Sequence, residues 1–221
     1  MLLAIDTSTK LSSLALFDGE EILAEESWHS YNSHTVQLMP RLIRMVETHR
    51  ASPEDLRVIA VALGPGSFTG LRIGLAVAKG LALSLNAALV GIPTLDFLTY
   101  PFAYQSKEVW GVLEAGRDRI YTAGYKRVGK KWKRLTEYMA LYWEELPEKI
   151  AGKQVIFCGE INPRGKALIK EHFGNRAMVA EPAFSIRRAS FLAQIAYQLW
   201  KAGHRDEIAS LSPIYLGGSC I

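Results

Sequence analysis

Cysteine is scarce in this sequence of 221 residues. Only Cys158 and Cys220 are present, far apart and in no Cys-x-x-Cys pair. A zinc ribbon and a disulfide framework are therefore both excluded, and we expect two reduced thiols with no structural task.

Long hydrophobic runs are also missing. The longest uncharged run, residues 80–95, holds sixteen residues and includes Asn86 and Pro93, whereas a membrane span needs about 20 apolar residues. The first residues carry no basic segment and reach a carboxylate at Asp6, which is atypical of a secretory signal. We expect no membrane span and a cytoplasmic protein.

The excess of positive charge lies in a single segment. The chain has 26 basic and 22 acidic residues, but six of the basic residues lie within residues 126–134 with no acid between them, and outside that run 20 basic residues face 22 acidic ones. A general nucleic-acid-binding composition is therefore absent. The run, with Trp132, could contact phosphates and stack on a base, but a solvated hairpin is the commoner meaning and the one we favour.

With 49% hydrophobic and 22% charged residues, the composition is typical of a globular protein, and its pattern predicts a mixed α/β fold. Short apolar strands at 2–5, 12–17 and 21–28 precede an amphipathic helix at 35–50 that Ser33 could cap, followed by a strand at 58–63, a helix at 71–85 and a strand at 89–92. The order βββαβαβ predicts a ribonuclease H-like sheet. Further strands at 109–113, 120–125, 132–141 and 155–158 and a helix at 190–201 indicate a shorter second copy, and we divide the chain into domains at 1–100 and 101–221.

The densest motif is Gly-Pro-Gly-Ser-Phe-Thr-Gly at residues 64–70, between a strand and a helix. Glycines there allow close backbone approach at a helix N-terminus, where an anion could bind. The motif lacks the Lys-Ser/Thr of a P-loop and the last glycine of a dinucleotide fingerprint. The candidate anion or nucleotide loop consists of Asp6, Thr7, Ser8, Ser67 and Thr69. A tight turn capped by Ser67 or Thr69 is an equally good reading, and Asx and Ser/Thr turns are common around residues such as Asp6.

No catalytic or metal-binding residue can be assigned from spacing. A ligand partnering His34 on its helix would lie one turn later, where Gln37 and Leu38 stand. A Ser/His/Asp triad is a spatial arrangement that spacing does not reveal.

The two helices of the first half predict a protein-binding face. The first has one apolar stripe through Val36, Met39, Ile43 and Val46, which we assign to the core, and a second through Leu38, Leu42 and Met45. The second helix carries a ridge of small residues, Gly70, Gly74 and Ala78. Because one sheet cannot cover both stripes, we expect Leu38, Leu42, Met45 and the ridge to bind a partner, with burial inside one chain as the alternative.

Five segments resemble the TsaB (YeaZ) family: Leu-Ala-Ile-Asp-Thr-Ser at 3–8, His-Thr-Val-Gln-Leu-Met-Pro at 34–40, Gly-Pro-Gly-Ser-Phe-Thr-Gly-Leu-Arg-Ile-Gly at 64–74, Gly-Ile-Pro-Thr-Leu at 91–95 and Pro-Ile-Tyr-Leu at 213–216. The resemblance implies two ribonuclease H-like lobes of the actin and sugar-kinase (ASKHA) superfamily, the second reduced. Two departures from the family pattern concern the second lobe, at residues 114–121 and at Gly217.

The resemblance also implies a function. It is that of a non-catalytic partner subunit in forming the threonylcarbamoyl group on adenosine 37 of tRNAs that read codons beginning with adenine. The related catalytic subunit TsaD carries a His-x-x-x-His metal motif, and Leu38 stands where its second histidine would be. The implied partners are a TsaD-like subunit, a TsaE-like ATPase and a second copy of the chain, with tRNA contacted only indirectly, no cofactor and ATP only at a complex interface. The alternative is a stand-alone ATP-dependent transferase or glycopeptidase-like enzyme.

Overall fold

A computed structural model describes residues 1–30, 34–49 and 51–216. The strands are β1 (Leu2–Asp6), β2 (Leu11–Phe17), β3 (Ile22–His29), β4 (Val58–Gly64), β5 (Ala88–Pro93), β6 (Glu108–Gly116), β7 (Arg119–Val128), β8 (Lys131–Arg134), β9 (Met139–Tyr142), β10 (Val155–Gly159) and β11 (Ala177–Val179). The α-helices are α1 (His34–Thr48), α2 (Phe68–Ser84), α3 (Thr94–Thr99), α4 (Pro163–Phe173), α5 (Pro182–Ser185) and α6 (Ala189–Lys201). The proposed cap residue Ser33 lies outside the described residues.

The chain forms two compact units. The first lobe comprises Met1–Phe97 and Arg187–Ile214, and the second consists mainly of Leu98–Ile186. The expected division at 100/101 is corrected for Arg187–Ile214, which belongs to the first lobe. The physical reason is α6, whose Ala189, Leu192 and Ala193 are buried against the first sheet.

The first lobe is built on a five-stranded sheet with the order β3-β2-β1-β4-β5. β1, β2 and β3 are antiparallel neighbours, whereas β1, β4 and β5 run parallel. The predicted order βββαβαβ is therefore confirmed.

Helices cover both faces of this sheet. Alternate residues of β1 point to opposite sides: Leu3 and Ile5 pack with buried residues of α1 and α2, while Leu2 and Ala4 pack with α6. The α1 and α2 helices therefore lie on the same side of the sheet, and their outer faces point away from it.

The second lobe repeats this arrangement. Its sheet has the order β11-β10-β6-β7-β8, with β9 also paired to β7, and β6 is antiparallel to β7 but parallel to β10. The predicted strand at 132–141 is two strands, β8 and β9, which pair with different parts of β7. Both lobes thus have ribonuclease H-like strand order. Within the described residues, no helix has both the length and the apolar composition to cross a membrane.

Candidate functional site

The carboxylate of Asp6, at the end of β1, is enclosed by hydrogen-bond donors. Its Oδ1 accepts from the backbone nitrogen of Ser8 at 2.8 Å and from Ser8 Oγ at 2.5 Å. Its Oδ2 accepts from Nε of Arg187 at 3.1 Å. The side chains of Asp6 and Arg187 are 0% and 1% exposed, so this is a buried ion pair inside the first lobe.

Arg187 makes further hydrogen bonds around the same turn. Its Nη2 donates to the backbone oxygen of Leu11 at 2.7 Å and to Oγ1 of Thr9. A cation bound to Asp6 would have to displace this guanidinium, because two positive charges side by side in a buried site repel each other. The residues present therefore do not fit a metal or a metal-bound nucleotide phosphate at Asp6.

Sequence reasoning missed Arg187. It stands just before an apolar helix and 181 positions from Asp6, and nothing in the local pattern marks its partner. Only the return of the chain to the first lobe brings the two charges together.

The glycine motif at residues 64–70 is hydrogen-bonded directly to the turn after β1. Oγ1 of Thr7 donates to the backbone oxygen of Gly70 at 2.7 Å, and the backbone nitrogen of Ser67 donates to the backbone oxygen of Ser8 at 2.6 Å. Ser67 Oγ accepts from the nitrogen of Gly70 at 3.3 Å and caps α2. The capping alternative is thus confirmed for Ser67, and the helix begins at Phe68, three residues earlier than predicted. Thr69 is exposed in its first turn.

The structure therefore brings the five residues of the candidate anion loop to one place. Most of their side chains form hydrogen bonds within the loop and its neighbouring backbone instead of pointing to a free site. The hydroxyls of Thr7, Ser8 and Ser67 make hydrogen bonds within the β1 turn and the start of α2. Thr7 and Ser8 are also buried. The loop packs β1 against α2, and the side-chain oxygens of Asp6, Thr7, Ser8 and Ser67 are engaged in hydrogen bonds.

The small residues of α2 face the turn after β1. Their assignment as a partner-binding ridge is therefore wrong. A Cβ at Gly70 would collide with the backbone oxygen of Thr7, and one at Gly74 with Thr7 Oγ1. Ala78 is fully buried in the same core. The ridge consists of small residues because α2 lies close against β1 and the turn that follows it.

The assignment of the two α1 stripes is also wrong, because the stripe expected to bind a partner is buried in the core. Leu38, Leu42 and Met45 are buried in the core against the sheet, whereas Val36 and Ile43 are 71% and 48% exposed. Val46 is buried as expected, and Met39 is partly buried. The stripe assigned to a partner packs inside, and much of the stripe assigned to the core faces water.

An apolar surface remains on the outside of α1 and α2. We call it the outer face and define it by Val36 and Ile43 of α1 and Phe68 and Leu83 of α2; Leu83 is 74% exposed. The guanidinium of Arg72 lies 3.7 Å from the ring centroid of Phe68. Glu26 pairs with Arg41 and Arg44 of α1. The exposed apolar side chains on these two neighbouring helices make the outer face a candidate protein-binding surface.

Candidate metal ligands are not clustered in the described residues. The side chain of His34 lies outside them, and Leu38 is in the core. Across residues 1–30, 34–49 and 51–216, no group of three or more His, Cys, Asp or Glu side chains could hold a metal ion. Cys158 is buried on β10, and burial raises the pKa of its thiol. Cys220 lies outside the described residues.

Comparison with solved structures first defines the class. ROK hexokinase from Thermus thermophilus superposes with a TM-score of 0.52 at 9% identity, covering 91% of this chain and 99% of that one. YeaZ from Pseudomonas aeruginosa superposes with a TM-score of 0.78 at 24% identity, covering 97% and 99%. The protein therefore has the two-lobed ASKHA fold.

Comparison of sequences then gives the family. The family model "TsaD: tRNA N6-adenosine threonylcarbamoyltransferase" matches residues 22–212. The tRNA threonylcarbamoyladenosine biosynthesis protein TsaB of Bacillus subtilis is 29% identical over 97% of this chain and 93% of its own length. The chain belongs to the TsaD family and, within it, to the TsaB (YeaZ) group, which confirms the resemblance drawn from the motifs.

Proposed function

We propose that this protein is a non-catalytic subunit in the formation of threonylcarbamoyladenosine on tRNA, and that it acts by binding a TsaD-like catalytic subunit through the outer face. The name of the Bacillus subtilis relative supports the pathway. The match to the TsaD family supports the kind of partner, because two chains of one fold can pair through equivalent helices. The same face would serve a homodimer.

The observation that carries the proposal is the outer face itself. Val36 and Leu83 are each more than two thirds exposed, on helices whose opposite sides are fully used by the core. Covering apolar side chains with a partner lowers the free energy of the system by roughly 25 cal/mol per Å² of apolar surface removed from water. Other residues of α1 and α2 already pack against the sheet. The exposed residues of the outer face are therefore available to a partner.

The alternative is a stand-alone ATP-dependent enzyme. The first-strand carboxylate that could hold a metal-bound phosphate is paired with Arg187 and hydrogen-bonded to Ser8. This supports the non-catalytic proposal, in which the pure chain neither turns over ATP nor binds a catalytic metal. Contact with a TsaE-like ATPase, ATP at a complex interface and a cytoplasmic location remain predictions.

The association is tested with two matched triple variants. Val36→Glu, Ile43→Glu and Leu83→Glu place charges on the outer face, and Leu135→Glu, Met178→Glu and Leu199→Glu place the same charges on exposed apolar residues elsewhere. We expect the outer-face variant to bind a TsaD-like subunit at least about 100-fold more weakly in sedimentation velocity, since unpaired charges are poorly tolerated in an interface core.

The control variant should bind as the unsubstituted protein does. Circular dichroism checks that both variants are folded. Unchanged binding by a folded outer-face variant would place the interface elsewhere, and equal weakening of both variants would show a general effect of charge.

A further inference from the structure

The basic run of residues 126–134 forms the β7–β8 hairpin, as favoured from the sequence. Lys126 lies opposite Lys133 and Val128 opposite Lys131, with a positive φ of 63° at Gly129 in the turn. Directly opposed residues of an antiparallel pair share one face, and the face alternates along each strand. Lys126, Lys131 and Lys133 therefore lie on a single face, which we call the lysine face.

The other face of the hairpin is already occupied. The ring of Trp132 stacks on Tyr125, with centroids 6.1 Å apart and planes at 8°, and its Nε1 donates to Thr99 Oγ1 at 3.4 Å. Arg127 donates to the backbone oxygens of Gly129 and Tyr104. One face of the Trp132 ring is therefore covered by Tyr125.

Among the described residues, no ion pair compensates the charge of the lysine face. Like charges directly opposite each other on paired strands are destabilising, and Lys126 and Lys133 are such a pair. Within the part of the chain that the structure describes, no carboxylate lies within 4.0 Å of the amino group of Lys126, Lys130, Lys131 or Lys133. All four are exposed. An uncompensated positive face suits an anionic partner.

We propose that the lysine face binds the phosphate backbone of RNA. The inference rests on the proposed function, since it takes tRNA as the RNA that the complex meets. Lysine ammonium groups are compact charges on flexible stems, which suits backbone contact without base recognition. The chain outside residues 126–134 has a slight excess of acid, so the attraction would be local to the hairpin. This goes beyond the indirect tRNA contact implied by the family resemblance, and it replaces our preference for a hairpin that only faces solvent.

The test compares two charge-matched variants in the complex with a TsaD-like subunit. Lys126→Gln, Lys131→Gln and Lys133→Gln neutralise the lysine face. Lys149→Gln, Lys166→Gln and Lys170→Gln remove the same charge from exposed positions of the same lobe. Complex formation without RNA is measured first, and affinity for an unmodified tRNA is then measured by fluorescence anisotropy at several salt concentrations.

We expect the lysine-face variant to bind tRNA about tenfold or more weakly at fixed salt. The slope of log affinity against log salt should fall by about two to three, because each phosphate contact contributes roughly 0.7 to 0.9. The control should match the unsubstituted complex. Equal tRNA affinity for both variants would overturn the proposal, and loss of the protein complex by the lysine-face variant would instead indicate an acidic protein surface as its partner.

Failure of the proposed function gives a different result. If the unsubstituted chain forms no complex with the TsaD-like subunit, the same titration is made on the full chain alone. Weaker tRNA binding by the lysine-face variant than by the control would then still support the RNA site, and equal binding would reject it.

Discussion

Asp6 and Arg187 show how one distant residue changes the meaning of a motif. A carboxylate at the end of a first strand could hold a metal, but here it is buried against a guanidinium. Breaking a buried pair by removing one partner is strongly destabilising, because the other charge stays uncompensated. The pair therefore has a structural role in the first lobe.

We predict that Arg187→Met lowers the free energy of unfolding by about 3–5 kcal/mol, measured by urea denaturation. Combining it with Asp6→Asn should cost less than the sum of the two single changes, since the orphaned charge is then gone. Arg188→Met is the control: Arg188 is half exposed and pairs with Glu25 at 3.5 Å, so its loss should cost no more than about 1 kcal/mol. Equal effects of Arg187→Met and Arg188→Met would contradict this account.

At the scale of single residues, the sequence predicted a side chain's hydrogen-bond partner only where that partner lies close in the chain. The cap of Ser67 on Gly70 spans three residues, and it was one of the predicted alternatives. The partner of Asp6 could not be predicted, because it depends on how α6 returns to the first lobe.

The helix α2 offers a test of close packing at the scale of an element. Gly74 and Gly80 lie on the same helix, but a Cβ at Gly74 would collide with Thr7, whereas one at Gly80 meets nothing within 4 Å. The small residues of α2 should therefore differ sharply in their tolerance of a methyl group.

We predict that Gly74→Ala destabilises the protein by about 1–3 kcal/mol through overpacking. Gly80→Ala should stabilise it by up to about 1 kcal/mol, since alanine favours a helix more than glycine does. Thermal unfolding of the two variants against the unsubstituted protein measures both changes. A stabilising effect of Gly74→Ala would show that α2 does not press on β1 as described.

The first helix shows the limit of periodicity. Both of its apolar stripes have helical spacing, so the sequence predicted the helix correctly but not which stripe faces the sheet. The choice depends on the rotation of α1 about its own axis, which is set by its packing against other elements of the first lobe. Leu38 and Leu42 pack inside as a result, and Val36 and Ile43 face water.

At the scale of the whole molecule, the strand order of the first lobe followed from sequence because turns and crossovers there are short and regular. The second lobe was predicted less well. An interruption at residues 135–138 separates β8 from β9, and the last helix joins the other sheet. An apolar helix near the end of a chain can cover either sheet, and its own sequence does not say which.

The most direct test of the proposed partner role is tRNA modification reconstituted with a TsaD-like subunit, measured as threonylcarbamoyladenosine formed on an unmodified tRNA. We predict that modification requires this protein, fails with the folded Val36→Glu, Ile43→Glu, Leu83→Glu variant, and is normal with the Leu135→Glu, Met178→Glu, Leu199→Glu control. Full modification with the outer-face variant, or without this protein, would contradict the claim that it acts by binding its partner through the outer face.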